Sequence, residues 1–386
     1  MTSREEVVAR AEEAAQSLRG ASARIETART LPAEVVDLLV AGGYTRLCVP
    51  RSLGGPELHP TTLLHVLEAL AAGDASAGWC AMIASTSSLL AAYLEPQTAR
   101  LVYGPPDSIS GGVFAPRGAA KRVPGGFRVS GRWGFASGCS HCAWLMGGCF
   151  VEGEAGRETT GGGVPDIRLM VFPREEAKIL DTWDVVGLSG TGSHDIEVRD
   201  LFVPEGRDVS FLADAPRESG ALYAFPVFGL LAVGVAAVGL GIARRAVHEL
   251  SELAREKTPA LGRRRLAERT HTQAHVAVAE AELSAARAGL AAAIDAAWGS
   301  AAAGGAIPLP ERARLRLAAT FAARAGSRIA TAMYELGGGS SIYRASALQR
   351  CLRDAHVVTQ HAMVGEGTYE LAGRVLLGLE GDTSQL

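Results

Sequence analysis

The chain has 386 residues, enough for two or three structural units. Its 38 Lys+Arg against 41 Asp+Glu leave a formal net charge of −3, which excludes a binder of nucleic acid that works through a basic, phosphate-neutralising surface. With 48% hydrophobic and 20% charged residues a large buried core is available, so wholesale disorder is excluded as well.

The stretch MTSREEVVARAEEAAQ is acidic and amphipathic, without an apolar signal core. From residue 4 to about 96 the pattern is helical. Val8, Ala11, Ala15 and Leu18 form one face; Pro32 opens a helix carrying Leu38 and Leu39; residues 48–55 read as a turn-rich connector. His59-Pro60-Thr61 starts a helix running through Leu70, and Asp74-Ala75-Ser76 caps another that reaches Leu94. From about 108 to 204 the period changes to two. Residues 127–135, 167–172 and 196–203 read as strands, with hairpin or loop signals at Gly125-Gly126 and at 156–163. From 221 the helical pattern returns and runs to about 378. Breaks at Thr258-Pro259, at 304–310 and at 337–339 predict four long helices in a bundle. The expected domains are 1–107 helical, 108–206 a β-barrel or sandwich, and 207–386 a four-helix bundle.

The apolar run 221–243 is long enough for a membrane span. Pro226, four glycines and the closing Arg244-Arg245 make it a buried helix instead, so no membrane partner is expected. Six dispersed cysteines fit reduced thiols in a soluble, cytoplasmic protein rather than a disulfide framework.

The densest chemical segment is SGRWGFASGCSHCAW, residues 130–144. Two indoles, a phenyl ring, a hydroxyl and glycines gather at a strand end. They either receive a planar heteroaromatic cofactor or simply fill a core. Cys139 and Cys142 lack the second pair that structural zinc needs, so buried inert thiols and no metal are expected. The segment 187–195, GLSGTGSHD, follows no strand–helix plan and reads as a hydroxyl-lined turn, not a phosphate loop. The turn at 337–341 either offers N–H groups to a phosphate or only joins two helices. Asp354 and His361, seven apart, share one face if a single helix runs through both. His361 is either an acid/base or a structural histidine.

Taken in order, these segments resemble the acyl-CoA dehydrogenase superfamily of flavoproteins over nearly the whole chain. SGRWGFASG is similar to that family's strand NGxKxWITNG, and GLSGTGSHDIEVRDLFVP to the segment closing its β-domain. Arg255-Glu256-Lys257-Thr258 with Gln273 resembles the stretch through which a neighbouring subunit helps hold FAD. GGGSSIYRASALQRCLRD resembles its glycine turn and Arg-Asp helix. The resemblance implies cofactor contacts from Trp133, Phe135, Ser137, Gly138, Arg255, Gln273, Gly337, Gly338, Ser340 and Arg353, with Phe135 at the ring position and Ser137 near the flavin N5. It also implies a homotetramer.

The motifs FASGCxHCxW, GLxGTGSxD and RDxHxxxQH are closer to this fold's two-component monooxygenases. Such enzymes take reduced FAD or FMN from a reductase, form a C4a-hydroperoxide with O2, and hydroxylate an aromatic or similar small molecule. Ser137 and His361 are then the implied catalytic pair. Two departures stand out: no histidine follows Gly78-Trp79, and Gly365-Glu366-Gly367-Thr368 looks like the dehydrogenases' YEGT, whose Glu is the base in α,β-dehydrogenation of an acyl thioester. Spacing favours the monooxygenase, because the base position falls on His361-Ala362 and Glu366 lies more than a turn beyond. A relative that has lost its flavin is a third reading.

Overall fold

A computed structural model of the chain describes residues 4–154, 156–160, 163–260 and 262–386. Part of the expected loop at 156–163 (residues 161 and 162) lies outside them. The amino-terminal third is helical: α1 Arg4–Ala28, α2 Ala33–Ala41, α3 Pro60–Gly73, α4 Ala75–Ser87 and α5 Pro96–Tyr103. Pro60 sits in the first turn of α3, where its missing N–H costs nothing. Asp74 opens α4 by accepting the Ala77 N–H at 2.9 Å.

The middle of the chain forms one mixed sheet from β1 Ser110–Val123, β2 Gly126–Trp133, β3 Trp144–Gly153, β4 Gly156–Arg157, β5 Ile167–Pro173, β6 Lys178–Leu180, β7 Asp195–Pro204 and β8 Asp208–Val209. The order is β6-β7-β2-β1-β3-β5-β8, with β4 against β3; β1 and β3 run parallel and the other pairs antiparallel. β8 extends the sheet past the expected boundary at 206. β1 and β3 were not among the expected strands, because glycines interrupt their alternation. Those glycines make room for Trp133: a Cβ on Gly118, Gly131 or Gly147 would stand 2.4 or 2.5 Å from its indole. Trp133 is fully buried there, and its Nε1 donates to the Gly148 carbonyl at 2.7 Å.

The carboxy-terminal part comprises α6 Ala221–Ala224, α7 Val227–Glu256, α8 Thr270–Ala302, α9 Leu309–Gly337, α10 Ala347–Val358 and α11 Gly367–Leu376. Three helices are long. The expected fourth is instead two short ones, α10 and α11, separated by residues 359–366. α7 is long and apolar enough to cross a membrane, yet 83% of that stretch is buried inside the protein. It packs on α3, α4, α9 and α10. Its approach to α9 is close because Gly326 faces the Gly239 carbonyl, where a Cβ would be 2.4 Å away.

Candidate functional site

The cap at Asp74 fixes the start of α4, and the next turn of that helix carries Trp79. Trp79 Nε1 donates to Ser137 Oγ at 3.0 Å, and its ring meets the His361 imidazole edge-on with centroids 5.5 Å apart. One buried indole therefore touches both residues expected to carry the chemistry. Nothing in the sequence marks Trp79 as part of the site, because its hydrogen-bond partner lies 58 residues away.

Ser137 lies in the turn that follows β2. Phe135 and Gly138 both take left-handed backbone there, with φ 66° and 69°. A β-carbon makes that conformation costly at Phe135, so neighbours must hold it. They do: Ala136 N donates to the His194 carbonyl at 3.1 Å and Gly138 N to the Thr191 carbonyl at 2.8 Å, joining this turn to residues 191–194. Hydroxyls line the seam. Ser137 Oγ is 2.7 Å from Ser193 Oγ, which is 2.7 Å from Thr191 Oγ1, which donates to the Leu188 carbonyl at 2.8 Å. Leu188 is itself left-handed, with φ 51°, and its N–H donates to the buried Asp354 carboxylate of α10 at 2.6 Å. Burial pushes the Asp354 carboxyl up to about 7, against the pull of that N–H. The hydroxyl-lined turn was legible, but not its partner 56 residues away.

His361 does not share a helix with Asp354. α10 stops at Val358, and His361 opens a separate 3-10 turn by accepting the Met363 N–H on Nδ1 at 3.2 Å. Burial, aided by the Arg316 guanidinium, pushes its pKa down to about 4. The ring is therefore neutral at pH 7, and an occupied Nδ1 assigns its proton to Nε2.

The other candidates divide. Phe135 is 73% exposed, touching Trp183 edge-on at 5.9 Å. Trp133 is fully buried in its glycine socket and leaves no exposed surface for a ligand. Gly337, Gly338 and Ser340 form a helix-ending turn that Lys257 Nζ closes onto the Gly337 carbonyl at 2.6 Å. Arg353 is engaged by Gln349, Glu26 and the Val186 carbonyl, so it ties α10 to α1 and to residue 186 rather than pointing outward to a ligand. Arg255 pairs with Glu252 and Gln273 with the Ala267 carbonyl, both on the exposed side. Glu366 is 81% exposed, pairs with Arg324 and precedes α11; the glycines around it start a helix rather than end one.

Cys139 and Cys142 are buried thiols whose S–H groups face the carbonyls of Gly192 and Gly138. Burial raises the pKa of each. Among the described residues no group of three or more His, Cys, Asp or Glu is placed to hold a metal. A small, partly open crevice lies behind Ser137, lined among others by Cys80, Ile83 and His141.

Comparison with known proteins matches residues 3–96 to the acyl-CoA dehydrogenase N-terminal domain and 233–366 to the acyl-CoA dehydrogenase C-terminal domain. The chain is 38% identical to an indole-3-acetate monooxygenase of Pseudomonas putida, over 91% of this chain and 88% of that protein. It is 29% identical to the flavin-dependent monooxygenase oxygenase subunit HsaA of Mycobacterium tuberculosis, over 95% and 94%. Among solved structures, XiaF from Streptomyces in complex with FADH2 and glycerol superposes with a TM-score of 0.90 at 27% identity, covering 98% of this chain and 96% of that one.

Proposed function

Because the chain belongs to the flavin-dependent monooxygenase branch of the acyl-CoA dehydrogenase superfamily, we propose that it oxygenates its aromatic substrate, with reduced flavin and O2, over Ser137 and His361. The observation that carries this placement is Trp79, bonded to Ser137 and packed on His361. The residues fit a flavin. Phe135 holds an apolar ring in solvent on a strained backbone, which a planar heterocycle would cover, and Ser137 ends a line of hydroxyls beside it. Bound there, reduced FAD or FMN supplies the electrons that activate O2.

The chain's own residues do the rest. Phe135 and Ser137 would orient the ring, with the packed helix α4 behind them. His361 keeps its proton at Nε2 and can donate a hydrogen bond from there to an oxygen of the reacting group; with Nδ1 bonded to the Met363 N–H it acts as a neutral hydrogen-bond donor and not as a cation. Glu366, on the surface, takes no part.

The oxygenase-subunit name of the HsaA relative supports a partner reductase that delivers the flavin. Exposed Val278, Phe321, Ile342 and Tyr343 support the homotetramer, with Arg255 and Gln273 at its interfaces. Six unpaired, buried cysteines support a cytoplasmic location. The switch from helix to strand at Ser110 supports a first boundary near 107, and the second moves to just after β8.

The test supplies NADH, a flavin reductase, FAD or FMN, and phenols and indoles under labelled O2. Label in the product is expected. His361→Ala should lower product formation by about 10²-fold and leave flavin affinity within about twofold. Bleaching of oxidised flavin by an acyl thioester without the reductase would replace oxygenation by dehydrogenation.

A further inference from the structure

Each hydroxyl behind Ser137 has one proton to give. Thr191 gives its own to the Leu188 carbonyl at 2.8 Å, so it meets Ser193 with a lone pair. Ser193 must then donate to Thr191, and it in turn meets Ser137 with a lone pair. Ser137 must donate to Ser193. From the other side comes Trp79 Nε1, a group that can only donate. The Ser137 proton is thus committed inward, and what the hydroxyl keeps for a ligand is an acceptor lone pair. The direction is set at the far end of the line, by a backbone carbonyl whose residue Asp354 holds through its N–H.

We infer that Thr191, Ser193 and Trp79 are positioning residues that fix Ser137 as a hydrogen-bond acceptor and so make the site select reduced over oxidised flavin. The inference rests on the placement of the isoalloxazine N5 against Ser137. Reduced flavin carries a hydrogen at N5 and can donate to that lone pair. Oxidised flavin has a bare nitrogen there, and two acceptors facing each other leave both unsatisfied. An enzyme that receives its flavin already reduced gains from such a filter, because the spent, oxidised ring is the form held less tightly.

The experiment measures dissociation constants of oxidised and of anaerobically reduced FAD and FMN for the folded wild type and for variants. Wild type should favour the reduced form. In Ser193→Ala the Ser137 proton is free to turn to N5, so affinity for oxidised flavin should rise by about tenfold while that for reduced flavin stays within about twofold. The midpoint potential of the bound flavin should fall by the equivalent of that tenfold, about 30 mV for two electrons. Thr191→Val, in which Ser193 loses its acceptor and turns its proton to Ser137, should move the ratio the same way. Thr191→Ser should restore it, and in a Ser137→Ala background Ser193→Ala should have no further effect. An oxidised-to-reduced ratio unchanged in both Ser193→Ala and Thr191→Val, with flavin still bound, overturns the relay. Folded wild type that binds neither form overturns the flavin placement itself, and the relay with it.

Discussion

His361 and Asp354 are buried with opposite consequences for stability. The imidazole, held near 4 against an ordinary 6.5, is neutral in the fold, so the unfolded chain binds its proton more readily. Its contribution to stability is present above 6.5 and lost as pH falls from there towards 4. The Asp354 carboxyl, raised to about 7, favours the protonated form in the fold, so its contribution is present below about 4 and lost as pH rises to 7. His361→Asn should therefore gain stability relative to wild type as pH drops from 6.5 to 4. Asp354→Asn should gain as pH rises from 4 to 7, with its amide oxygen still accepting from Leu188. Asp354→Ala should instead lose about 1–3 kcal/mol, because it orphans that N–H. Thermal melts across pH 4–8 check all three, and parallel curves for the two amide variants would contradict the assignment.

At the scale of the element, the Trp133 socket is the most demanding packing in the sheet. Gly147→Ala should cost about 1–3 kcal/mol by forcing a methyl into the indole, and less than half of that in a Trp133→Leu background. Equal costs in both backgrounds, by chemical denaturation, would mean that the indole is not what the glycine accommodates. The same socket explains what the sequence showed and hid. β5 announces itself by a continuous apolar run, Leu169-Met170-Val171-Phe172, and β7 by the alternation Ile196-Glu197-Val198-Arg199. β1 and β3 are emptied at Gly118 and Gly147 for a side chain of β2, and their period disappears with it. The order of helices, sheet and helices was legible, as was the hydroxyl-lined turn at 187–195. The break after Val358 was not, because no Gly or Pro occurs between residues 347 and 364 to mark it. Nor was the bond between Trp79 and Ser137, since nothing local ties residues 58 apart.

Across the whole molecule, Glu26 of α1 grips Arg350 and Arg353 of α10, and α10 holds Leu188 through Asp354. Burial alone would raise the Glu26 carboxyl; the two guanidinium bonds outweigh it and lower it. Glu26→Ala should therefore destabilise the fold by about 1–3 kcal/mol at pH 7, and less as pH falls through the carboxylate range. It should also speed hydrogen exchange at Leu188, which a purely local loss at α1 would leave unchanged.

The chain order of these contacts bears on how the protein is made. Translation delivers the helix bearing Trp79 first, then the turn with Ser137 and the hydroxyls at 191 and 193, and Asp354 and His361 well after all of these. A nascent chain stopped short of residue 354 has no acceptor for the Leu188 amide and no imidazole on Trp79. The reactive crevice is thus completed only once residue 361 has been synthesised, and a product terminated before it cannot contain it.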